Sequence, residues 1–387
     1  MKRFVWLVLV LTLCTPVFAE KKVSVQELKD ILVSLNKENK NDEEIATRLK
    51  EIDLSEELTR SAVMNFAPYL PGPLSQEQMN ALEGRSSILA PPRSDLPAAA
   101  APDVTAQKAI FTKAIEYVTK TYMQNPHFIA SKSTSRYQDG VEGIRTNSGV
   151  ANNMPDSSSA HSWDVPNMFM RYLGTHVDQV DIDKGIERRP AEKAKVPWGV
   201  NGQVSEGGPG PILSIILQEA ADGGKVNWLR WQTIHEKQIA VFSFAVDKKK
   251  SHYLVNYCCF PITQDTGRMG YEGTEANFQT GTDWKEFKAT VPYRGEFFID
   301  PDTGAIVRIV TQAGLKPTDF VHQEDMRIDY GPMVVDGKTY LLPMDSFTLT
   351  EVVPNGDNYA ARYSVRHTLF SAAYQNYQMA QPGARGK

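Results

Sequence analysis

Cysteine is scarce in this sequence, with three in 387 residues. Cys14 lies in the N-terminal apolar segment, and the other two, Cys258 and Cys259, are adjacent. Successive side chains of a strand point to opposite faces, so this pair is expected either as one core thiol and one outward thiol or, after local distortion, as a strained vicinal disulfide. So few cysteines exclude a disulfide-rich scaffold. No histidine or further cysteine pair lies at ligand spacing, so no metal site and no cofactor is predicted.

A strong charge of either sign is also lacking. The chain has 42 Lys and Arg against 46 Asp and Glu, a formal charge of -4. There is no basic excess to predict a nucleic acid as a partner, and no acidic excess to predict a polycation. With 41% hydrophobic and 23% charged residues, the composition is that of a folded protein of two or three domains.

No apolar run reaches the roughly 20 residues that span a bilayer. The longest N-terminal run, 4–13, follows Lys2 and Arg3 and precedes the small-residue pattern Val17-Phe18-Ala19. This layout predicts a secretory signal peptide, 1–19, cut after Ala19. The mature protein is then exported to the periplasm or the extracellular space, with no transmembrane span after cleavage.

Two other interpretations of this segment are weaker. A transmembrane anchor needs a longer apolar run. A lipoprotein signal needs a small residue before the modified cysteine, whereas Leu13 precedes Cys14.

The common catalytic motifs are missing. The segment 202–207 lacks the spacing of a Gly-x-Ser-x-Gly elbow, and the glycines at 207, 208 and 210 are not followed by the Gly-Lys-Ser/Thr of a phosphate loop. His235-Glu236 begins like a zinc protease motif, but Ile239 stands where the second histidine belongs, so a hairpin turn is predicted there. No catalytic residue is predicted.

Asp178, Asp181 and Asp183 could suggest a calcium loop. Their surroundings lack the glycine and the closing glutamate of the twelve-residue cation loop. A solvated strand edge is therefore predicted.

What the N-terminal part does have is helical periodicity. Three apolar stripes recur at helical spacing: Val25, Leu28, Leu32 and Leu35; Ile45, Leu49 and Ile52; Leu58, Ala62 and Phe66. Ser55 is predicted to be the N-cap of the third helix, and a further short helix is predicted around 76–82. These elements form a helical module, 20–89, followed by an Ala/Pro-rich linker, 90–104.

The rest of the chain, 105–375, begins with a helix over 105–122 and then changes to a period of two. Strands are predicted over 128–137, 168–182, 226–234, 239–246, 252–259, 294–299, 306–311, 325–330, 339–342, 346–352 and 362–369. Gly304 and the pair Asp336-Gly337 mark two hairpins. The long polar insertions 139–159 and 260–286 are predicted to be mobile loops, and 376–387 a disordered tail.

One helix is predicted among these strands, over 212–220. Prolines precede it, glycines follow it, and it is apolar nearly all round, which predicts burial on most sides. The predicted fold is therefore α+β: a small helical module, then a large curled antiparallel β-sheet of about ten strands, a half-barrel, around a buried helix.

Several strands are apolar on both faces, as in a sheet that is covered on both sides or lines a cavity. The alternatives are a core filled by the helix and a cavity that accepts a ligand. In the second case, the predicted lining residues are Ile212, Ile216, Trp228, Trp231, Phe242, Phe244, Tyr253 and Tyr257.

Strand and turn patterns alternate in three stretches within 294–369: GEFFIDPDTGAIVRI, QEDMRIDYGPMVVDGKTYLLP and DSFTLTEV. This alternation resembles the periplasmic lipoprotein-carrier superfamily (LolA/LolB/RseB-like). The resemblance implies an open half-barrel whose cavity accepts acyl chains or a partner peptide. It covers less than a third of the chain.

Most of the chain also resembles a family of uncharacterised exported bacterial proteins, through the segments DLSEELTRSAV, YVTKTY and SHYLVNYCC. That resemblance implies export and no activity. Neither resemblance assigns a role to a particular residue.

These observations favour a non-catalytic exported binding protein that holds a lipid, acyl chain or lipoprotein in a curled sheet. The first alternative is an envelope scaffold or sensor with a solidly packed sheet that acts through an envelope protein partner. The second alternative is an enzyme, which a cleft with converging acids or histidines would support.

Overall fold

The structure, a computed structural model, describes residues 22–138, 170–184, 186–188, 202–203, 209–261, 284–316, 318–319, 321–352 and 367–380. The predicted signal peptide lies outside these residues, as does most of the two predicted mobile loops. Among the described residues, no helix combines the length and apolarity needed to cross a membrane.

Four short helices make up the N-terminal module. They are α1 (Val25–Lys37), α2 (Asp42–Lys50), α3 (Arg60–Phe66) and α4 (Pro73–Ser86). Ser24 and Asn41 begin the first two helices with capping boxes, in which the side chain and a glutamate three residues later satisfy free backbone N–H groups. The predicted N-cap at Ser55 is wrong: α3 begins later, and Thr59 caps it through a hydrogen bond from the N–H of Ala62.

The module has an apolar core of its own. Of the predicted stripes, Val25, Leu35 and Ala62 are only partly buried against this core. Its buried members are the other stripe residues with a few additions: Leu28, Leu32, Ile45, Leu49, Ile52, Leu54, Leu58, Phe66, Leu70, Met79 and Leu82. The helical periodicity in the sequence therefore identified most of this core.

The remainder contains two helices, α5 (Val104–Lys120) and α6 (Pro209–Gly223), and thirteen strands within the described residues. The strands are β1 (Phe128–Gln138), β2 (Arg171–Asp183), β3 (Ile186–Arg188), β4 (Gly202–Gln203), β5 (Lys225–Ile234), β6 (Lys237–Val246), β7 (Leu254–Pro261), β8 (Trp284–Thr290), β9 (Tyr293–Ile299), β10 (Ile306–Ala313), β11 (Val321–Val335), β12 (Lys338–Val352) and β13 (His367–Met379).

Ten of these strands form one sheet in the order β3-β2-β1-β13-β12-β11-β10-β9-β6-β5, and β4, β7 and β8 form a second sheet. All strand pairs are antiparallel. The predicted α+β class with a large antiparallel sheet is confirmed.

Several details of the predicted strands need correction. β8 was not predicted: it begins at Trp284, inside the predicted loop 260–286. The segments 339–342 and 346–352 are one strand, β12, because the ladder continues past Pro343 through a register shift in its pairing with β11. β13 continues to Met379, so the start of the predicted tail at 376 falls inside a strand, where β1 supplies the backbone partners.

The hairpin turns are where the sequence placed them. His235 and Glu236, with φ of 48° and 63°, form the turn between β5 and β6. Asp336 and Gly337, with φ of 49° and 75°, form the turn between β11 and β12. Gly304 has φ of 78° beside the backbone of Lys113 in α5, where a Cβ atom would lie 2.4 Å from the carbonyl oxygen. A side chain there would conflict with both the turn and the helix.

Helices cover both faces of the large sheet. The α6 face carries Phe242 and Phe297 and packs against α5 and α6. The α4 face carries Phe347 and Leu369 and packs against Ala81 of α4.

The chain passes from one face to the other around the β5 edge. The predicted linker lies against this edge: the indole Nε1 of Trp231 in β5 donates a hydrogen bond to the carbonyl oxygen of Ala100 at 2.9 Å. Pro91 and Pro92 are buried.

α6 differs from the prediction of burial on most sides. Leu213, Ile216, Leu217 and Ala220 are buried, whereas Gln218 and 221–223 are exposed. The polar C-terminal turn faces water because its side chains would lack partners against the sheet.

Candidate functional site

The α6 face changes chemistry across the sheet. Cross-strand pairing aligns one residue from each of nine strands in a single row: His176, Thr134, Ala372, Ser346, Ile328, Ile309, Phe297, Phe242 and Trp228. Directly paired residues share a face, so the row is polar on β2, β1 and β12 and apolar from β11 to β5. The neighbouring row does not repeat this division, because polar and apolar side chains alternate along it: Arg136, Phe370, Thr348, Met326 and Thr311.

The apolar half is built from aromatic pairs. Phe244 stacks on Phe297 with ring centroids 4.3 Å apart, and Phe111 of α5 lies 5.8 Å from Phe242. Phe242 and Phe244 are each 3% exposed, and α5 and α6 pack directly on them. Protein side chains therefore fill this half.

A polar contact ties α6 to the sheet at the end of the apolar half. The Tyr293 hydroxyl donates to Glu219 Oε2 at 2.6 Å, and the backbone N–H of His252 donates to Oε1 at 3.0 Å. Ring nitrogen Nδ1 of His252 lies 2.5 Å from the same oxygen. Burial, followed by the hydrogen bond to Glu219, raises the pKa of Tyr293.

The His252 side chain is 81% exposed, so its ring faces solvent in the described part of the structure. This Glu–His pair therefore fits a structural tie better than a general base.

The polar half contains a buried Lys–Glu–Tyr cluster. Lys132 Nζ lies 2.9 and 3.1 Å from the two carboxylate oxygens of Glu187, and the Tyr374 hydroxyl donates to Oε2 at 2.9 Å. Lys132 also lies 5.3 Å from the centre of the Tyr374 ring. Burial, followed by the nearby Glu187 charge, raises the pKa of Tyr374 well above its usual value. This cluster joins β3, β1 and β13.

Arg136 is the second cation of the polar half. It is 3% exposed, its Nη2 donates to Gln138 Oε1 at 3.0 Å, and its guanidinium lies 5.7 Å from the Phe370 ring centre. Burial lowers its pKa, and Tyr257 acts in the opposite direction. His176, on the neighbouring strand, pairs with Asp178 at 2.8 Å. The polar half thus contains charged groups of both signs and hydroxyl groups, next to a buried apolar cluster on the same strands that includes Phe128, Ala130 and Val180.

The predicted lining residues fall in the apolar half or next to it. Ile216, Phe242 and Phe244 are buried in the core with α5. Trp228, Trp231 and Tyr253 are partly buried against the same core. Tyr257 lies on β7 in a separate cluster with Val255 and Val321. Ile212 lies in α6, and its side chain is outside the described part of the structure.

The other sequence-based predictions have mixed outcomes. Cys258 and Cys259 lie on β7, where two of its residues oppose one residue of β8, a local β-bulge; their side chains are outside the described part. Within the described residues, no group of three or more His, Cys, Asp or Glu could hold a metal ion. Asp178 points to one face of β2, whereas Asp181 and Asp183 point to the other.

Sequence reasoning missed the polar half. Its only local signal is the alternation of Lys132, Thr134 and Arg136 along one face of β1. Their neighbours Ser346 and Thr348 are more than two hundred positions away in the chain, so only strand pairing brings them together.

The chain matches no protein-family model, no curated protein and no solved structure.

Proposed function

We propose that this protein is a non-catalytic exported binding protein that holds a lipid, an acyl chain or the lipid-modified end of a lipoprotein against the α6 face. The supporting observation is the division of that face, in which an apolar half adjoins a half with charged and hydroxyl groups. An amphipathic molecule needs both kinds of surface side by side.

In this proposal the sheet curls around α6 as an open half-barrel. The contacts of α6 support this geometry, because the helix touches β3 at one end of the ten-strand order and β5 and β6 at the other. A flat sheet of ten strands at about 4.8 Å spacing would separate its end strands by roughly 40 Å. One helix of 15 residues, about 22 Å long, could not then reach both ends.

The polar half supports a preference for a polar head group. Lys132 and Arg136 are matched on this face by the carboxylates of Glu187 and Asp178, and Thr134, Ser346 and Thr348 add hydroxyl groups. The alkyl chain then lies along Phe370 on β13, because α5 and α6 already cover the apolar residues from Met326 and Ile328 to the β5 edge.

Uptake of a fluorescent long-chain fatty acid by delipidated full-length mature protein tests this function. Thr134→Phe is expected to weaken uptake about tenfold, because the ring occupies space on the polar half. Thr175→Phe on β2 is the matched control: Thr175 is exposed, lies on the opposite face and should leave uptake unchanged. Native mass spectrometry of protein purified from the periplasm should show a bound lipid.

The binding function is wrong if the wild-type protein takes up no fatty acid and its native mass is that of the bare chain.

One observation favours a second function, an envelope scaffold or sensor. The residues first expected to line a cavity, such as Phe242 and Phe244, are packed by α5 and α6. A solid sheet of this kind could present the outer surfaces of α1 and α2 to an envelope protein. Cross-linking in intact cells with a photoreactive residue at exposed Glu43 would then give a discrete adduct, which the lipid-binding function does not require.

A further inference from the structure

The α4 face buries a charged cluster that neither proposed function uses. It lies where the helical module meets the sheet and contains four carboxylates and three guanidiniums: Glu57, Glu83, Asp329, Asp345, Arg60, Arg308 and Arg327. Three members come from the module and four from the sheet. Arg327 and Glu83 have side chains that are 1% and 0% exposed.

Arg308 and Arg327 are both hydrogen-bonded to Glu57 and Asp329. Arg308 Nη1 and Arg327 Nη1 both donate to Glu57 Oε1, at 2.7 and 3.0 Å. The Nε atoms of the same arginines donate to the two oxygens of Asp329. The two positive charges of the arginines therefore balance the two negative charges of Glu57 and Asp329. The paired hydrogen bonds offset the free-energy cost of removing these charges from water.

The other two carboxylates share the remaining arginine. Arg60 Nη1 lies 3.2 Å from Glu83 Oε2, and Arg60 Nη2 lies 3.7 Å from Asp345 Oδ1. Arg327 Nη2 is 3.7 Å from Glu83 Oε1, beyond hydrogen-bond distance. Neither oxygen of Glu83 accepts a well-aligned hydrogen bond from the described residues. The side chains of Asp345 and Arg60 are partly exposed, at 24% and 35%, whereas that of Glu83 is fully buried. Glu83 is therefore the carboxylate of the cluster whose negative charge is least compensated.

The electrostatics of the cluster agree with this geometry. Burial raises the pKa of Glu83 to about 7 against the attraction of Arg60 and Arg327, and Asp329 and Asp345 raise it further. Burial also raises the pKa of Asp345. Burial acts to raise the pKa of Asp329, but the charges and hydrogen bonds of Arg308 and Arg327 together outweigh it, so this pKa is lowered.

We propose that this cluster is a proton-binding site, and that the folded protein, with its helical module docked on the sheet, holds one proton on Glu83, in the environment it shares with Asp345. The protonated carboxyl removes the uncompensated buried charge. Deprotonation leaves a fully buried anion whose oxygens accept no well-aligned hydrogen bond from the described residues, so attachment of the module to the sheet weakens.

The sign of the pH dependence follows from this assignment. Glu83 binds its proton more tightly in the folded chain than in the unfolded chain, so folding takes up a proton between the two pKa values. The stabilisation is complete below about pH 4.5 and is lost as the pH rises through about 7. From Glu83 alone, the unfolding equilibrium constant rises on the order of a hundredfold between about pH 5 and about pH 8.

Urea unfolding of the full-length mature protein across this pH range tests the site. Glu83→Gln keeps the shape of a protonated carboxyl and should remove that hundredfold component, leaving a flatter profile and a protein more stable than wild type in alkaline solution. Glu43→Gln, the same change at an exposed position of α2, should keep the wild-type profile. Equal pH profiles for Glu83→Gln and the wild type would overturn the proposal.

A second measurement does not depend on a variant that folds. Carbon-detected NMR titration of side-chain carboxyls in the folded wild-type protein should show one glutamate with a midpoint near 7. Titration of every glutamate near the ordinary value of 4.5 would equally overturn the proton site.

Discussion

The two faces of the large sheet are both covered by helices, but they are stabilised by different chemistry. On the α6 face, Phe242, Phe297 and Ile328 pack against α5 and α6 through apolar contact. On the α4 face, Arg308 and Arg327 meet Glu57 of the helical module within an apolar surround. The apolar half of the α6 face is stabilised by buried apolar area, which is non-directional, whereas the junction of the module with the α4 face contains a charged network that needs each of its members.

This difference has a clear consequence for tolerance to substitution. Apolar cores accept volume-conserving changes at a cost of less than about 1.5 kcal/mol. A buried charge that loses its partner costs about 3–5 kcal/mol. β11 has a buried charge and an apolar core residue next to each other, because Arg327 points to the α4 face and Ile328 to the α6 face.

Removal of the helical module is expected to have the largest effect. Deletion of residues 20–95 exposes Phe347, Leu369 and Tyr137 and leaves Arg308 and Arg327 without Glu57. We expect the truncated chain to aggregate or to lose cooperative unfolding, as measured by size-exclusion chromatography and circular dichroism.

A chain cut at a protease site inserted within 97–99 is the control, because both pieces are present and should stay associated. A soluble truncated sheet that unfolds cooperatively would show that the module is an independent unit, and would favour the scaffold function.

Arg327→Leu is expected to have the next largest effect. Loss of this guanidinium leaves Glu83 and Asp329 with less compensation in a buried site, so the free energy of unfolding should fall by about 3–5 kcal/mol in urea denaturation. Arg48→Leu, at an exposed arginine of α2, should change stability little. A loss of less than about 1 kcal/mol for Arg327→Leu would mean that the network contributes little to this interface.

Ile328→Leu, one residue further along, is expected to have the smallest effect. The residue is fully buried, and the isomeric side chain can repack against α5 and α6, so the loss should stay below about 1.5 kcal/mol. The same urea measurement applies. If this variant lost as much stability as Arg327→Leu, the two faces would not differ in tolerance.

Sequence periodicity predicted most of the secondary structure. The apolar stripe containing Leu28 and Leu32 predicted the helix that is α1, and the alternation from Phe242 to Val246 predicted the strand that is β6. The errors are local. Ser55 was expected to be an N-cap, but Thr59 supplies the hydrogen bond, since both residue types can serve and only the backbone conformation selects one.

The candidate site could be predicted only in part. Its apolar residues, such as Phe242 and Trp228, were recognised because alternation on two faces indicates burial. Its polar residues were missed. Thr134 lies beside Ala372 across β1 and β13, a pairing that no local pattern in the sequence contains.

The sequence by itself determined which segments become helices and strands, where most hairpins turn and which apolar residues are buried, because these properties depend on residues a few positions apart. The tertiary structure alone decided which charges meet. Glu57 and Arg308 are 251 positions apart and become neighbours only when the module docks on a sheet of fixed register. The proton-binding cluster and the divided α6 face both arise from such distant pairings, whose energies depend on burial and geometry that no short stretch of chain contains.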